Sequence, residues 1–360
     1  MSYNFLYYVY LHKIEMKVSG YIFRHFFLVL TLFFSVNLRA NEEKKVEESP
    51  VDAIIHHVQD ANEFHIVTLG HSHYYFPLPC ILYNIDKGSL DMFMSDKLHE
   101  GAYNGYELHE GHIVRTDNAS FLDFSITKNV FSMFMSLLIA IVLFSMVSNA
   151  YKKRPNQAPR GLQGWIEPVI NFIVEDVIKV NIGPKYMKFV PYLISLFFFI
   201  LINNLIGLIP FFPFSSNLSG NIAFTFALAF IAFLMINLNG TKDYWGHVFA
   251  MPGVPKWVLV ILTPVEIMGI FLKPAVLMLR LFGNITGGHI AILSVVSLIF
   301  ILGEYGKNMG GAIGGTLIAV PIVLFVNAME LLVAFLQAYV FTLLTSIFIG
   351  VAVEEHHGHH

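Results

Sequence analysis

The residues able to do chemistry in this chain are a few ionisable and amide side chains set in otherwise apolar sequence. In "TPVEIMGIFLKPAVLMLRLFGNITGGHI" (263–290), Glu266, Lys273 and Arg280 follow one another at intervals of seven residues. Seven residues turn an α-helix by about 700°, close to two full turns, so the three share one face if Pro274 leaves the helix continuous. His289 stands nine residues beyond Arg280, and that spacing points it about 180° away. Such a helix carries a guanidinium that never gives up its proton on one face and an imidazole that titrates near neutrality on the other. Farther on, Glu330 and Gln337 are again seven apart and share a face. An unpaired charge at mid-bilayer costs from ~3 to over ~10 kcal/mol, so these charges imply a function or a partner. The bland alternative is mutual pairing, Glu266 with Lys273 or Arg280, and Glu330 with another helix. Lys273, beside Pro274, suits that alternative as a snorkelling side chain. Arg280, between "VLML" and "LFGN", does not, and Gly283, Gly287 and Gly288 thin the same stretch so that another helix can approach.

The elements that must position these groups are membrane helices. Of 360 residues, 56% are hydrophobic and 13% charged, against about 25% charged in a soluble domain. The apolar residues gather into runs, which predicts an all-α polytopic membrane protein. A net charge of -3 without a basic patch excludes a nucleic-acid partner. The single cysteine, Cys80, excludes an intrachain disulfide, a thiolate zinc cluster and a CxxC redox pair. No phosphate loop or catalytic carboxylate pair of the usual enzyme kinds is present, and no cofactor or metal is expected. "HSH" at 71–73 has no spaced partner ligands, so solvated or packed histidines are its default reading.

Along the chain, residues 1–40 combine Lys13, Lys17 and Arg24 with the apolar "FFLVLTLFFSV" and a small residue, Ala40. That order predicts a signal peptide, with Met16 as an alternative start and an uncleaved first helix as the competing reading. Residues 41–127 are mixed polar with eight histidines and read as a small exported region, with short strands expected at 64–69, 80–85 and 121–126. The membrane domain, 128–355, opens with a span at 130–148 followed by "YKKRPNQAPR", which places that end in the cytoplasm. A stretch at 164–180 reads as interfacial, and spans follow at about 189–210 and 221–238. Two segments, 256–302 and 311–353, hold more than 40 mostly apolar residues each, twice what one span of about 20 requires. Periodicity leaves open whether each is a helical hairpin or one long tilted helix. Residues 356–360 form a short tail.

"LMLRLFGNITGGH", with "LVAFLQAYVFTLLTSIFIGVAVEEH", "FILINNLIGLIP" and "TPVEIMGIFLKPAVLMLR", resembles subunit a of the F-type ATP synthase over about 131–356. The resemblance implies a proton-translocating stator subunit without nucleotide chemistry of its own. Its partners would be the ring of c subunits, the subunit b stalk and the rest of the complex in a bacterial inner membrane. Arg280 would correspond to the arginine that faces the ring and separates two aqueous half-channels. His289 and Glu330 fall at two half-channel positions that often hold the reverse pair in bacteria, which implies that they act together in proton relay. Asn204, Asn284 and Gln337 match polar positions near the path, and Glu266 a carboxylate toward the cytoplasmic side. The family fold makes both long segments single tilted helices, giving five crossings after the signal and a cytoplasmic C-terminus. It implies nothing for the histidine-rich region. Two other functions compete from the residues alone. A solute–proton symporter using Arg280 to bind an anion would be expected to carry internal repeats, which are absent; a purely structural anchor would tolerate neutral replacements of its buried charges.

Overall fold

The computed structural model describes residues 39–42, 60–69, 72–86, 88–99, 101–109, 112–117, 120–153, 157–209, 216, 218–249, 251, 254–304 and 307–354. The expected leader lies outside these apart from Arg39 and Ala40, as does the tail, and His71 of the "HSH" stretch.

The N-terminal unit is built from short antiparallel strands. β1 (Arg39–Glu42), β2 (Glu63–Leu69) and β3 (Ser72–Pro77) form a sheet in the order β1-β3-β2. β4 (Pro79–Asn84) and β5 (Ser89–Met94) are followed by the one-turn helix α1 (Asp96–His99) and the hairpin β6 (Tyr106–His109) and β7 (His112–Arg115). β8 (Phe121–Asp123) completes a second sheet, β5-β4-β8. Alternation along β4 sends Cys80 and Leu82 into a core with Phe93, Leu98, Tyr106 and Ile113. The turn before β6 uses Asn104 and Gly105 at φ 53° and 82°, the residue types that accept left-handed backbone. The three expected strands correspond to β2, β4 and β8. The other five escape a pattern reading because four to six residues of mixed polarity, as in "SHYYFP" or "SLDMFM", carry too few period-two repeats.

The remainder is helical: α2 (Lys128–Lys153), α3 (Leu162–Asn171), a π-helical segment (Phe172–Ile178) running into α4 (Lys179–Ile182), then α5 (Val190–Gly207), α6 (Ile222–Leu238), α7 (Lys242–Phe249), α8 (Lys256–Leu302) and α9 (Met309–Val353). Among the described residues four helices, α2, α5, α8 and α9, are long and apolar enough to cross a membrane. The α6–α7 pair, bent by 102°, makes a fifth if taken as one span. This is the expected polytopic helical architecture. From α3 to α4 the buried apolar residues are Ile166, Ile170, Ile173, Val174, Val177, Ile178 and Ile182. Glu175 and Lys179 pair at 2.6 Å on the exposed side, so this stretch is amphipathic and rests on the bundle rather than crossing it.

α8 and α9 are each one continuous helix, which answers the counting question in favour of long helices over hairpins. The 47 residues of α8 extend about 70 Å. A hydrocarbon core of about 30 Å therefore holds such a helix only at a steep tilt. Pro264, Pro274 and Pro321 lie inside these helices without ending them. The two run antiparallel through a tight turn in which Asn308 caps α9, its side chain accepting from the Gly311 amide at 2.9 Å. Gly311 and Gly315 permit the closeness: a side chain on the first would overlap the Leu302 carbonyl, and a Cβ on the second would stand 3.2 Å from the Ile299 Cα. Leu193, Phe197, Ile200, Leu277, Leu281, Phe341 and Ile349 form the heart of the bundle core.

Candidate ion path

The register of α8 against α9 sets the site. Near one end the Lys273 ammonium lies 5.3 Å from the centre of the Phe348 ring, and farther along Gly288 abuts the Glu330 carboxylate. Arg280, halfway between Lys273 and Gly288, therefore comes level with Tyr339, and Gln337 falls between the levels of Arg280 and Asn284. Eight residues separate Arg280 from Gly288, an axial distance of about 12 Å.

The two faces of α8 differ as the nine-residue spacing requires. Arg280, Gly283, Asn284 and Gly287 form an exposed stripe, and a Cβ built on Gly283 or Gly287 meets nothing within 4 Å. Val276 and Leu279, both about half exposed, flank it. Among the described residues the Arg280 guanidinium makes no hydrogen bond or ion pair. This face presents a permanent cation on a slim helix at the outer surface of the chain. Glu266, 14 residues earlier and about 21 Å along the axis, sits near Tyr244 of α7. It pairs with neither Lys273 nor Arg280 among the described residues. The mutual-pairing reading of these three charges is not realised; Lys273 instead spends its charge over an aromatic ring.

On the opposite face polar groups from three helices come close together. His289 brings Nε2 to 3.9 Å from where a Cβ would project from Gly207 of α5. Three residues before Gly207 stands Asn204, 2% exposed; its Nδ2 donates to the Ala334 carbonyl of α9 at 3.1 Å, and its Oδ1 accepts from the Ser219 hydroxyl at 2.6 Å. Glu330 is one turn before Ala334 and packs on Gly288, the neighbour of His289. Its Oε2 is shut off from solvent with no hydrogen-bond partner among the described residues. Gln337, 6% exposed, lies just under a turn past Ala334. The fold thus gathers Asn204, His289 and Glu330, with Gln337 leading back toward the level of Arg280. It sets Arg280 and Asn284 on the other face and Glu266 well apart.

Sequence reasoning passes over several residues that join this cluster. Ser219 holds Asn204, Ser216 donates to Asn129 at 2.6 Å, and Thr286 donates to the Gly220 carbonyl at 3.5 Å. Asn203, beside Asn204, donates to the Phe199 carbonyl at 2.7 Å. The available signal was the run of small polar residues in "SSNLSG", an uncharged turn between two apolar spans.

A family described as ATP synthase A chain matches residues 130–350, and a domain of unknown function, DUF8433, matches 53–131. The boundary between the matches coincides with the passage from strands to α2. An ATP synthase subunit a 2 of Chlorobaculum tepidum is 35% identical over 329 residues, covering 89% of this chain and 79% of the relative. ATP synthase subunit a of Pelodictyon phaeoclathratiforme is 38% identical over 275 residues, 75% and 77% of the two chains. That of Chloroherpeton thalassium is 40% identical over 249 residues, 66% and 71% of the two. With the family match running through all the helices that carry the polar cluster and the exposed arginine, this chain belongs to the ATP synthase subunit a family.

Proposed function

We propose that this chain is the stationary proton channel of an F-type ATP synthase in a bacterial inner membrane. Nucleotide chemistry lies in other subunits, and the chain is held in place by a stator stalk, subunit b. Lys152 and Lys153 end α2, and basic residues favour the cytoplasmic side. The strand unit then lies outside, and α9 ends inside. His289, Glu330, Asn204 and Gln337 line the outer half-channel, while Glu266 lies toward the cytoplasmic one. Protons relay between the imidazole and the carboxylate, two side chains that can each accept and release a proton. Arg280 faces the ring of c subunits and favours the deprotonated ring carboxylate that passes it. A lysine would serve poorly, since a desolvated ammonium sheds its proton and a guanidinium keeps it.

The observation that carries this reading is the division of α8 into two faces. An unpaired arginine stands on a slim exposed stripe, and the proton-active side chains lie half-buried about 12 Å away along the axis on the other side. A charge left in hydrocarbon at a cost of ~3 to over ~10 kcal/mol needs a partner carboxylate. Arg280→Ala in the assembled complex is expected to abolish ATP-driven proton pumping while assembly and ATP hydrolysis persist. Pumping at the normal rate in that variant would overturn the assignment.

A further inference from the structure

The strand unit stands outside the path just described, yet partly buried and buried hydrogen bonds join the two. Asp60 Oδ1 accepts from the Ala61 amide at 3.0 Å and the Asn129 amide at 3.2 Å. The Lys128 amide donates to the Ala61 carbonyl at 2.9 Å, and Phe64 meets Phe131 edge-on with ring centres 5.5 Å apart. These contacts anchor the first turn of α2 in the strand unit. From that turn the Asn129 side chain, 5% exposed, accepts from the hydroxyl of Ser216, 1% exposed, at 2.6 Å. Ser216 belongs to the connection between α5 and α6, and its carbonyl lies 3.6 Å from where a Cβ on Gly207 would stand, the residue that His289 also abuts. Three residues later Ser219 holds Asn204.

We propose that the strand unit is a brace for the outer half-channel. Asp60, Asn129 and Ser216 act as positioning residues: the first two fix Ser216 and, with it, the 218–220 turn, so that Ser219 and Gly207 hold Asn204 and His289 in place. The physical case is one of continuity. A connection between two membrane helices at the water boundary has its own conformational freedom to lose, and it is tethered here through a residue whose backbone is itself fixed by Asp60. Every side chain in the relay from Asn129 to Asn204 is at most 5% exposed, so solvent cannot substitute for a lost partner. The brace gives residues 60–129 a task in proton flow that requires no titration of their own. The inference rests on the half-channel reading.

The test uses the assembled complex in inverted membrane vesicles, measuring ATP-driven pumping and the pH of half-maximal passive proton flow. Ser216→Ala and Asn129→Leu should each lower flow about threefold to tenfold, the factor expected for one buried hydrogen bond. They should also shift the pH midpoint, and Ser216→Thr, which keeps the hydroxyl, should restore both. Ser216→Ala removes one oxygen and almost no packing volume, so it decides the matter even where Asn129→Leu fails to assemble. Asn204→Leu separates the two claims. Normal flow in Ser216→Ala beside slow flow in Asn204→Leu overturns the brace alone, whereas normal flow in both overturns the half-channel as well.

Discussion

Replacing Gly288 by alanine should slow proton flow without preventing assembly. A Cβ at this position would stand 2.9 Å from Glu330 Cδ and 3.1 Å from Cγ, and would overlap Oε1. Carbon atoms settle at about 3.5–4.0 Å, so the end of the Glu330 side chain must retreat by about 1 Å. The obstacle is the free end of a flexible side chain, so α8 and α9 need not separate. Moving it about 30° off a rotamer costs roughly 0.5–1.5 kcal/mol. That is small for the fold and large for the relay, since displacing a positioned reactive group by about 1 Å can cost about 100-fold in rate. Flow through the complex, followed by fluorescence quenching in inverted vesicles, should therefore fall at least about tenfold while the amount of assembled complex stays unchanged. Adding Glu330→Asp shortens the side chain by one methylene and should recover part of the loss. Normal flow in Gly288→Ala, or a double variant slower than both single ones, would refute the reasoning.

Gly350→Ala should do the opposite: its Cβ would collide with the backbone carbonyl of Asn181, which cannot swing aside, so thermal stability and assembly should fall by about 1–3 kcal/mol, read from a shift in the unfolding midpoint of the purified complex. Exchanging the relay pair, His289→Glu with Glu330→His, should retain more pumping than either single replacement; a swapped variant worse than both singles would count against coupling. Burial, with the nearby Asp123 charge, pushes the Cys80 thiol up from 9.0 to about 12. It should therefore resist alkylation at pH 8 until the strand unit unfolds. Because the folded state holds this proton more tightly, the contribution of Cys80 to stability is complete below about pH 9 and is lost as pH rises toward about 12. A pH titration of unfolding in a Cys80→Ala variant should lack that decline.

The parts of the fold that were legible were those in which chemistry repeats along the chain. Intervals of seven and nine residues separated the faces of α8, and the structure keeps Arg280 and His289 apart in that way. Pro274 left continuity open because proline removes a donor and crowds the preceding turn; only packing against α9 decides that the helix runs on. The cluster around Asn204 was half legible. An asparagine amid "FILINNLIGLIP" invites a partner, but the partners are Ser219, 15 residues away, and the Ala334 carbonyl, 130 residues away, and a carbonyl has no letter in the sequence. Asn129 and Ser216 are 87 residues apart, each an ordinary polar residue at the edge of an apolar run, so nothing local connects them. Glu330 drew notice as a lone carboxylate in lipid-like sequence, while the reason it fits, the missing side chain of Gly288, is a contact between helices.

The central claim is that the Arg280 stripe faces a moving ring of carboxylate-bearing helices. Asn284→Cys places a thiol on that stripe, and because Cys80 is the only native cysteine and is buried, background reaction is small. Oxidative crosslinking in the assembled complex to a cysteine beside the ring carboxylate should give a disulfide-linked product containing one copy of this chain and one small proteolipid. A residue-284 thiol that is alkylated by lipid-soluble maleimide yet forms no product with the ring would contradict the account.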